Sequence, residues 1–258
     1  MSLLQVGLTL LTGGIVAFLL TLFGGGGSVL AVPLLLYMVG VREPHVAIGA
    51  SAAGVALNAA TALVGHAAKG RVRWRIAGLF AAFGALGALA GSTVAKSIDG
   101  HQLLLFFALA MAAVGLAMLR PNAPQGSAEA SLSRANGPAV AGMGTAVGAA
   151  SGFFGIGGGF LIVPGLMRSA GLTLPLAQAA SLVSVATFGA VTSLNYAASG
   201  LINWRIVVAM TAGGILGALA GQPVAQALGE KARTGRVLFA GLILLAAAYV
   251  AWKAVMAL

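Results

Sequence analysis

Phe23-Gly24-Gly25-Gly26-Gly27-Ser28-Val29-Leu30-Ala31-Val32-Pro33 interrupts an apolar run that begins at Leu3 and meets no charge before Arg42. As a single α-helix, Leu3 to Val41 would extend about 58 Å, roughly twice the hydrocarbon thickness of a bilayer. The run has to break, and the glycines, which tolerate backbone conformations closed to other residues, mark the place. The motif then returns as Phe154-Gly155-Ile156-Gly157-Gly158-Gly159-Phe160-Leu161-Ile162-Val163-Pro164, with Pro44 matched by Pro175 at the same offset. After a one-residue deletion Ser51 pairs with Ser181, Gly70 with Gly200, Trp74 with Trp204, and Gly84, Gly87 and Gly91 with Gly214, Gly217 and Gly221. Chance does not keep so many glycines and a tryptophan in step, so the chain is read as two homologous halves, 1–119 and 138–258. Between them 120–137, rich in Pro, Asn, Ser and Gly, reads as a solvated linker.

Composition agrees with a life in lipid. Of 258 residues, 60% are hydrophobic and 7% charged, where a soluble domain carries about 25% charged. The surplus of 14 Lys+Arg over 4 Asp+Glu is gathered in a few short loops, which is a topology signal and not a nucleic-acid footprint. Cysteine is absent, which removes disulfides and thiolate chemistry. The first 41 residues lack the basic n-region of a signal peptide, so the N-terminal segment is expected to stay with the protein.

Five segments are expected in each half: Leu3–Phe23, Ser28–Val41, Val46–Ala68, Ile76–Ala95 and Leu103–Leu119, then Pro138–Phe154, Gly159–Leu172, Leu176–Ser199, Ile206–Leu228 and Val237–Trp252. The second of each five is short, either a full crossing or a re-entrant arm. Lys69, Arg71, Arg73 and Arg75 place the loop after the third segment of the first half on the cytoplasmic side. In the second half the dense loop is the following one, with Lys231, Arg233 and Arg236. The halves are therefore expected to face opposite ways, giving an all-α membrane protein of two inverted repeats, each with four to five transmembrane or half-membrane helices. Both termini would lie outside.

The glycine cluster ahead of a Val-Pro, the small-residue helix that follows, the Gly-x-x-x-Trp loop and the repetition of all three resemble the TauE/SafE sulfite exporter family of membrane permeases. The resemblance covers nearly the whole chain. It implies transport of sulfite, a sulfonate or a related sulfur-containing or carboxylate anion through a bacterial inner membrane, with no cofactor. The two halves depart from symmetry where Gly25 corresponds to Ile156 and Ser28 to Gly159.

Broken helices expose main-chain groups at membrane depth, and such backbone is tolerated only when buried in protein or lining a cavity. Gly24, Gly25, Gly26, Gly27 and Ser28, with Gly155, Gly157, Gly158 and Gly159, are accordingly read as anion-binding, offering free N–H groups at the positive ends of short helices. Close helix packing is the competing reading. It is preferred for Gly84, Gly87, Gly91 and their partners, because adjacent glycines make a poor packing face and glycines three or four apart make a good one. Pro33 and Pro164 are read as structural. Ser51, Gly54, Asn58, Thr61 and Gly65 share one helical stripe, and Gln178, Ser181, Ser184 and Asn195 another, beside Thr187 and Thr192. Of these, Ser51, Asn58, Ser181 and Ser184 are read as substrate ligands, with interhelical hydrogen bonding as the alternative.

Glu43, Asp99, Glu129 and Glu230 all fall in loops or at segment ends, so a carboxylate relay at membrane depth is missing. His66 and Tyr196 occupy equivalent positions and are the residues through which proton coupling would run. For His66 an interfacial role bonded to a loop carbonyl is an equal reading, and a proton carried by the substrate itself needs neither residue. An intramembrane enzyme would need a metal-binding or carboxylate pair that the sequence lacks. A channel or small-cation permease could use carbonyls freed at the same breaks, although no acidic residue lies there to favour a cation.

Overall fold

A computed structural model describes residues 2–119, 126, 127, 129–155, 157, 159–229 and 232–256. Ile156 and Gly158, part of 120–137, and Glu230 and Lys231 lie outside the described residues. The architecture is all-α. Helix α1 spans Leu3–Phe23 and starts in a capping box, where Ser2 Oγ accepts from the Gln5 amide at 3.2 Å and Gln5 Oε1 accepts from the Ser2 amide at 3.0 Å. A composite segment, α2, then runs as a 3-10 helix over Gly24–Leu30, a single α turn over Ala31–Pro33 and a π-helical stretch over Leu34–Met38. The remaining helices are α3 Pro44–Ala68, α4 Trp74–Lys96, α5 Gly100–Leu119, α6 Gly137–Phe154, α7 Gly159–Ala170, α8 Leu174–Ala198, α9 Trp204–Gly229 and α10 Ala232–Val255.

These bounds follow the expected segments closely but for α10, which starts at Ala232 and not Val237, and for α2, which needs a correction. Its helical run begins at Gly24, not near Ser28, and ends at Met38. Only Gly24 takes the left-handed φ, at 65°, that stops α1, and the glycines after it wind tightly instead of forming an open loop. At Gly27 a β-carbon would run into the backbone of Leu19 and Leu20, so glycine lets the 3-10 turn fold back on the helix it has just left.

The repeat seen in sequence reappears in the caps. Helices α3 and α8 each carry a proline in the first turn and end in a left-handed glycine, Gly70 and Gly200. In α3, Gly70 N–H donates to Ala67 at 3.0 Å and Arg71 N–H to His66 at 3.2 Å; in α8, Gly200 donates to Ala197 and Leu201 to Tyr196, both at 2.9 Å. Both are Schellman ends, the geometry that satisfies last-turn carbonyls before a sharp reversal.

Among the described residues five helices are long and apolar enough to cross a bilayer: α1, α3, α4, α8 and α9 over Trp204–Val224. Leu86, Leu194, Val208, Leu216 and Leu245 stand exposed, as expected of side chains that meet lipid, so this is a multi-spanning membrane protein. Small residues join the helices. Gly144, Gly148 and Gly152 of α6 lie against the backbone of Phe80, Gly84 and Ala88 in α4, so the two run in the same direction. Likewise Gly213, Gly217 and Gly221 of α9 meet Leu10, Gly14 and Phe18 of α1, again in parallel. Where lipid tails are as apolar as leucine, association depends on such close backbone approach. Helices α3 and α8 pass each other antiparallel at the centre, Gly49 against Tyr196 and Gly189 against Ala52 and Ala56. Helix α5 packs on α10, and α4 carries Phe80 to stack on Phe188 of α8 at 6.3 Å between ring centres.

Candidate functional site

The two glycine breaks meet at the core of the bundle, because α7 packs directly on the 3-10 turn Gly24–Leu30. The first break is Gly24, whose ψ of −150° ends α1 and redirects the chain. The second is Gly155, a left-handed C-cap whose amide donates to Ser151 at 2.9 Å, followed by Gly157, also left-handed at φ 65°. Between them α2 and α7 hold their prolines differently. Pro33 closes the α turn just before the π-helical stretch, and Pro164 sits inside α7.

Each break docks on a central helix, Gly155 on α3 and Gly24 on α8. Ser51 Oγ on α3 donates to the carbonyl of Gly155 at 3.0 Å, sharing its proton with Ile48 O at 2.9 Å, and Gly155 packs on the Ile48 side chain. Gly24 packs on Gln178 of α8, one turn from Ser181, whose Oγ donates to Gln178 O at 2.7 Å. Gly157 reaches further in, to a point where a β-carbon would touch both Val55 of α3 and Val185 of α8. Gly26 is buried, Ser28 and Ser181 are fully buried, and Gly25 and Gly159 lie in the first turns of α2 and α7. Gly158 falls outside the described residues.

Around this crossing, polar atoms are buried without partners. Both amide atoms of Asn58 and the hydroxyls of Ser184, Ser151 and Thr192 find no hydrogen-bond partner among the described residues. Each such group forfeits about 1–3 kcal/mol. Several of them on α3, α6 and α8 mark a place built for something other than packing. The Asn58 amide lies against Gly214 of α9, where the repeat puts Phe188 against Gly84 of α4. Thus one half contributes a hydrogen-bonding group where the other contributes a ring.

Other residues from the polar stripes do not reach this crossing. Asn195 turns toward α4, donating through Nδ2 to Ser92 at 2.7 Å and Thr93 at 3.0 Å. The ammonium of Lys96 completes the clamp on Asn195 O at 3.1 Å, Asn195 Oδ1 at 2.9 Å and Ser199 Oγ at 2.8 Å. Thr61 is exposed, bonded only to its own helix at Leu57 O, 3.0 Å away. His66 and Tyr196 end up at opposite ends of the antiparallel pair α3 and α8. Tyr196 is wholly buried, its hydroxyl unpartnered and its ring 6.3 Å from that of His45. His66 lines a cavity beside Lys69 and Arg71. Among the described residues no group of three His, Cys, Asp or Glu could hold a metal ion.

A sequence model of the family described as "Sulfite exporter TauE/SafE" matches residues 9–250. A "Probable membrane transporter protein" of Xylella fastidiosa (strain Temecula1 / ATCC 700964) is 46% identical over 247 residues, which cover 95% of this chain and 94% of that protein. A second, from strain 9a5c, is 46% identical over 249 residues, covering 95% and 94%. The "Probable membrane transporter protein YdhB" of Bacillus subtilis (strain 168) is 25% identical over 204 residues, 77% of this chain and 80% of that one. No solved structure matches the chain.

Proposed function

The chain belongs to the TauE/SafE sulfite exporter family of membrane transporters, and from that premise we propose that its solute is a small anion held where the two glycine breaks cross. As a member of that family it is a membrane transporter of a small solute. The proposed solute is sulfite, a sulfonate or a related sulfur-containing or carboxylate anion, carried across a bacterial inner membrane. The reading rests on the reciprocal docking of each break on the opposite half, Gly155 on Ser51 and Gly24 on Gln178 beside Ser181. A left-handed glycine buried between the two central helices, as at Gly157, lets main chain approach a ligand with no fixed charge that would trap it. Asn58 Nδ2 and the Ser184 hydroxyl supply further uncommitted donors.

The same crossing suits alternating access. Parallel contacts of α1 with α9 and of α4 with α6, and the antiparallel contact of α3 with α8, are what two halves related by an axis in the membrane plane would produce. Placing Lys69 and its neighbours inside gives five passes per half, residues 1–119 and 138–258, and puts His66 at the inner end and Tyr196 at the outer. Proton coupling, where it operates, is assigned first to the substrate's own acid–base equilibrium and second to His66.

Purified protein in vesicles loaded with sulfite or a short sulfonate is expected to release the anion at a protein-dependent rate. The vesicles should retain sodium and potassium. Protein-dependent cation currents without anion release would replace this reading with that of a cation channel using the freed carbonyls.

A further inference from the structure

At the end of the bundle that carries the α3–α4 loop, α1, α3 and α9 enclose a cavity of about 130 Å³ separate from the glycine crossing. Its polar lining comes from Thr21, Thr61, His66, Lys69, Arg71 and Gln222. We infer that this cavity is a second binding site, for a small oxyanion.

Three observations carry the assignment. Neither Lys69 nor Arg71 has a carboxylate partner among the described residues, so two positive charges border one cavity with nothing to balance them. The loop that holds them is fixed, not loose, by the Arg71 N–H bond to His66 O at 3.2 Å. Nδ1 of His66 is buried without a partner. The two hydroxyls are already turned onto their own helices, Thr21 to Ala17 O at 2.8 Å and Thr61 to Leu57 O at 3.0 Å. The groups left to bind a ligand are thus cationic or amide donors, which select an acceptor of negative charge.

The equivalent place in the other half supplies the contrast. There Tyr196 stands for His66, Ser199 for Lys69 and Ser92 for Gln222. That end is filled. Tyr196 is buried, Ser92 bonds Asn195, and the Lys96 ammonium is met by three protein oxygens. At that end the protein meets the cation with its own oxygens, and at the basic end no carboxylate among the described residues does so.

A phosphate-type oxyanion can arrive free or as a lipid headgroup, and both meet the same donors. Calorimetric titration of the full-length protein in neutral detergent with inorganic sulfate, then inorganic phosphate, is expected to show saturable binding. K69Q/R71Q should weaken it by about tenfold or more, the scale of losing charge-assisted hydrogen bonds, and H66L should weaken it by a smaller factor. R73Q/R75Q removes the same charge from the start of α4, outside the cavity, and should leave affinity within about threefold, since exposed charges at a distance are screened. Repeating the titration in phosphatidylglycerol and in phosphatidylcholine vesicles identifies the source: suppression by phosphatidylglycerol alone assigns the site to the headgroup, and equal binding assigns it to the free ion. No saturable binding to the wild type, or equal weakening by the two arginine-containing double variants, would overturn the proposal. Because the readout is binding and not flux, it stands or falls apart from the central site.

Discussion

Leucine at Gly217 is expected to force α1 and α9 apart and leave little folded protein. A β-carbon there would strike the backbone of Gly14, and main chain cannot rotate away as a side chain does. The neighbouring contacts are of the same kind, Gly213 on Leu10 and Gly13 on Met210, so the helices touch along their backbones over successive turns and cannot yield at one point alone. Overpacking where side chains can adjust costs about 1–3 kcal/mol; against backbone the cost lies at or above that range, a large part of the 5–15 kcal/mol that holds a typical fold. The damage also travels. Helix α9 presents Met210 to Gly54 and Gly214 to Asn58, so moving it disturbs α3 at the crossing. Thermal unfolding in detergent, with recovery of monodisperse protein, gives the measurement. Gly7→Leu is the comparison, since that glycine lies on α1 with open space around it. A G217L protein as stable as G7L would show that the α1–α9 contact is not the close packing described.

Gly157→Leu is expected to leave a folded protein that no longer transports. The position is left-handed, which costs a non-glycine residue about 1–2 kcal/mol, and a β-carbon would stand 3.0 Å from Val185 Cγ1 and 3.1 Å from Val55 Cγ1. Those neighbours are methyl groups that can shift by a few tenths of an ångström, so stability survives. The leucine then occupies the space between Val55 of α3 and Val185 of α8. Vesicle release of sulfite or a short sulfonate should fall to the protein-free rate. Gly171→Leu separates strain from obstruction, because Gly171 shares a φ of 66° but has nothing near its missing side chain. Release should persist in G171L. Normal release from G157L would remove the glycine crossing from the transport path.

Much of this arrangement was legible in the amino-acid order, because the signals were local. A charge-free run too long for one helix forces a break, adjacent glycines locate it, and the helix bounds follow from Pro44, Pro175, Gly70 and Gly200 acting as start and stop signals. Which groups meet across the bundle was not legible. The repeat equates Gly24 with Gly155 and Ser51 with Ser181, yet nothing in it says that Ser51 reaches the break of the opposite half. Asn195 shares a helical stripe with Ser181 and Ser184. It faces α4 because Ser92, Thr93 and Lys96 lie there to satisfy it, a fact fixed by packing and not by periodicity. Ser28 followed four glycines that resembled a loop, but the backbone of Leu19 and Leu20 is close enough to favour a tight 3-10 turn over an extended one. Equivalent positions also diverged in role: His66 borders a cavity, whereas Tyr196 fills the corresponding volume.

The chain contains no cysteine, so a single introduced thiol reports one position without background. Ala68 and Ala198 are equivalent, exposed residues that end α3 and α8. With the two halves inverted around the crossing, a membrane-impermeant maleimide applied to intact spheroplasts labels A198C at once and A68C only after the membrane is permeabilised. Labelling of both thiols from the same side would mean that the halves point the same way, and the anion site formed by their crossing would have no basis.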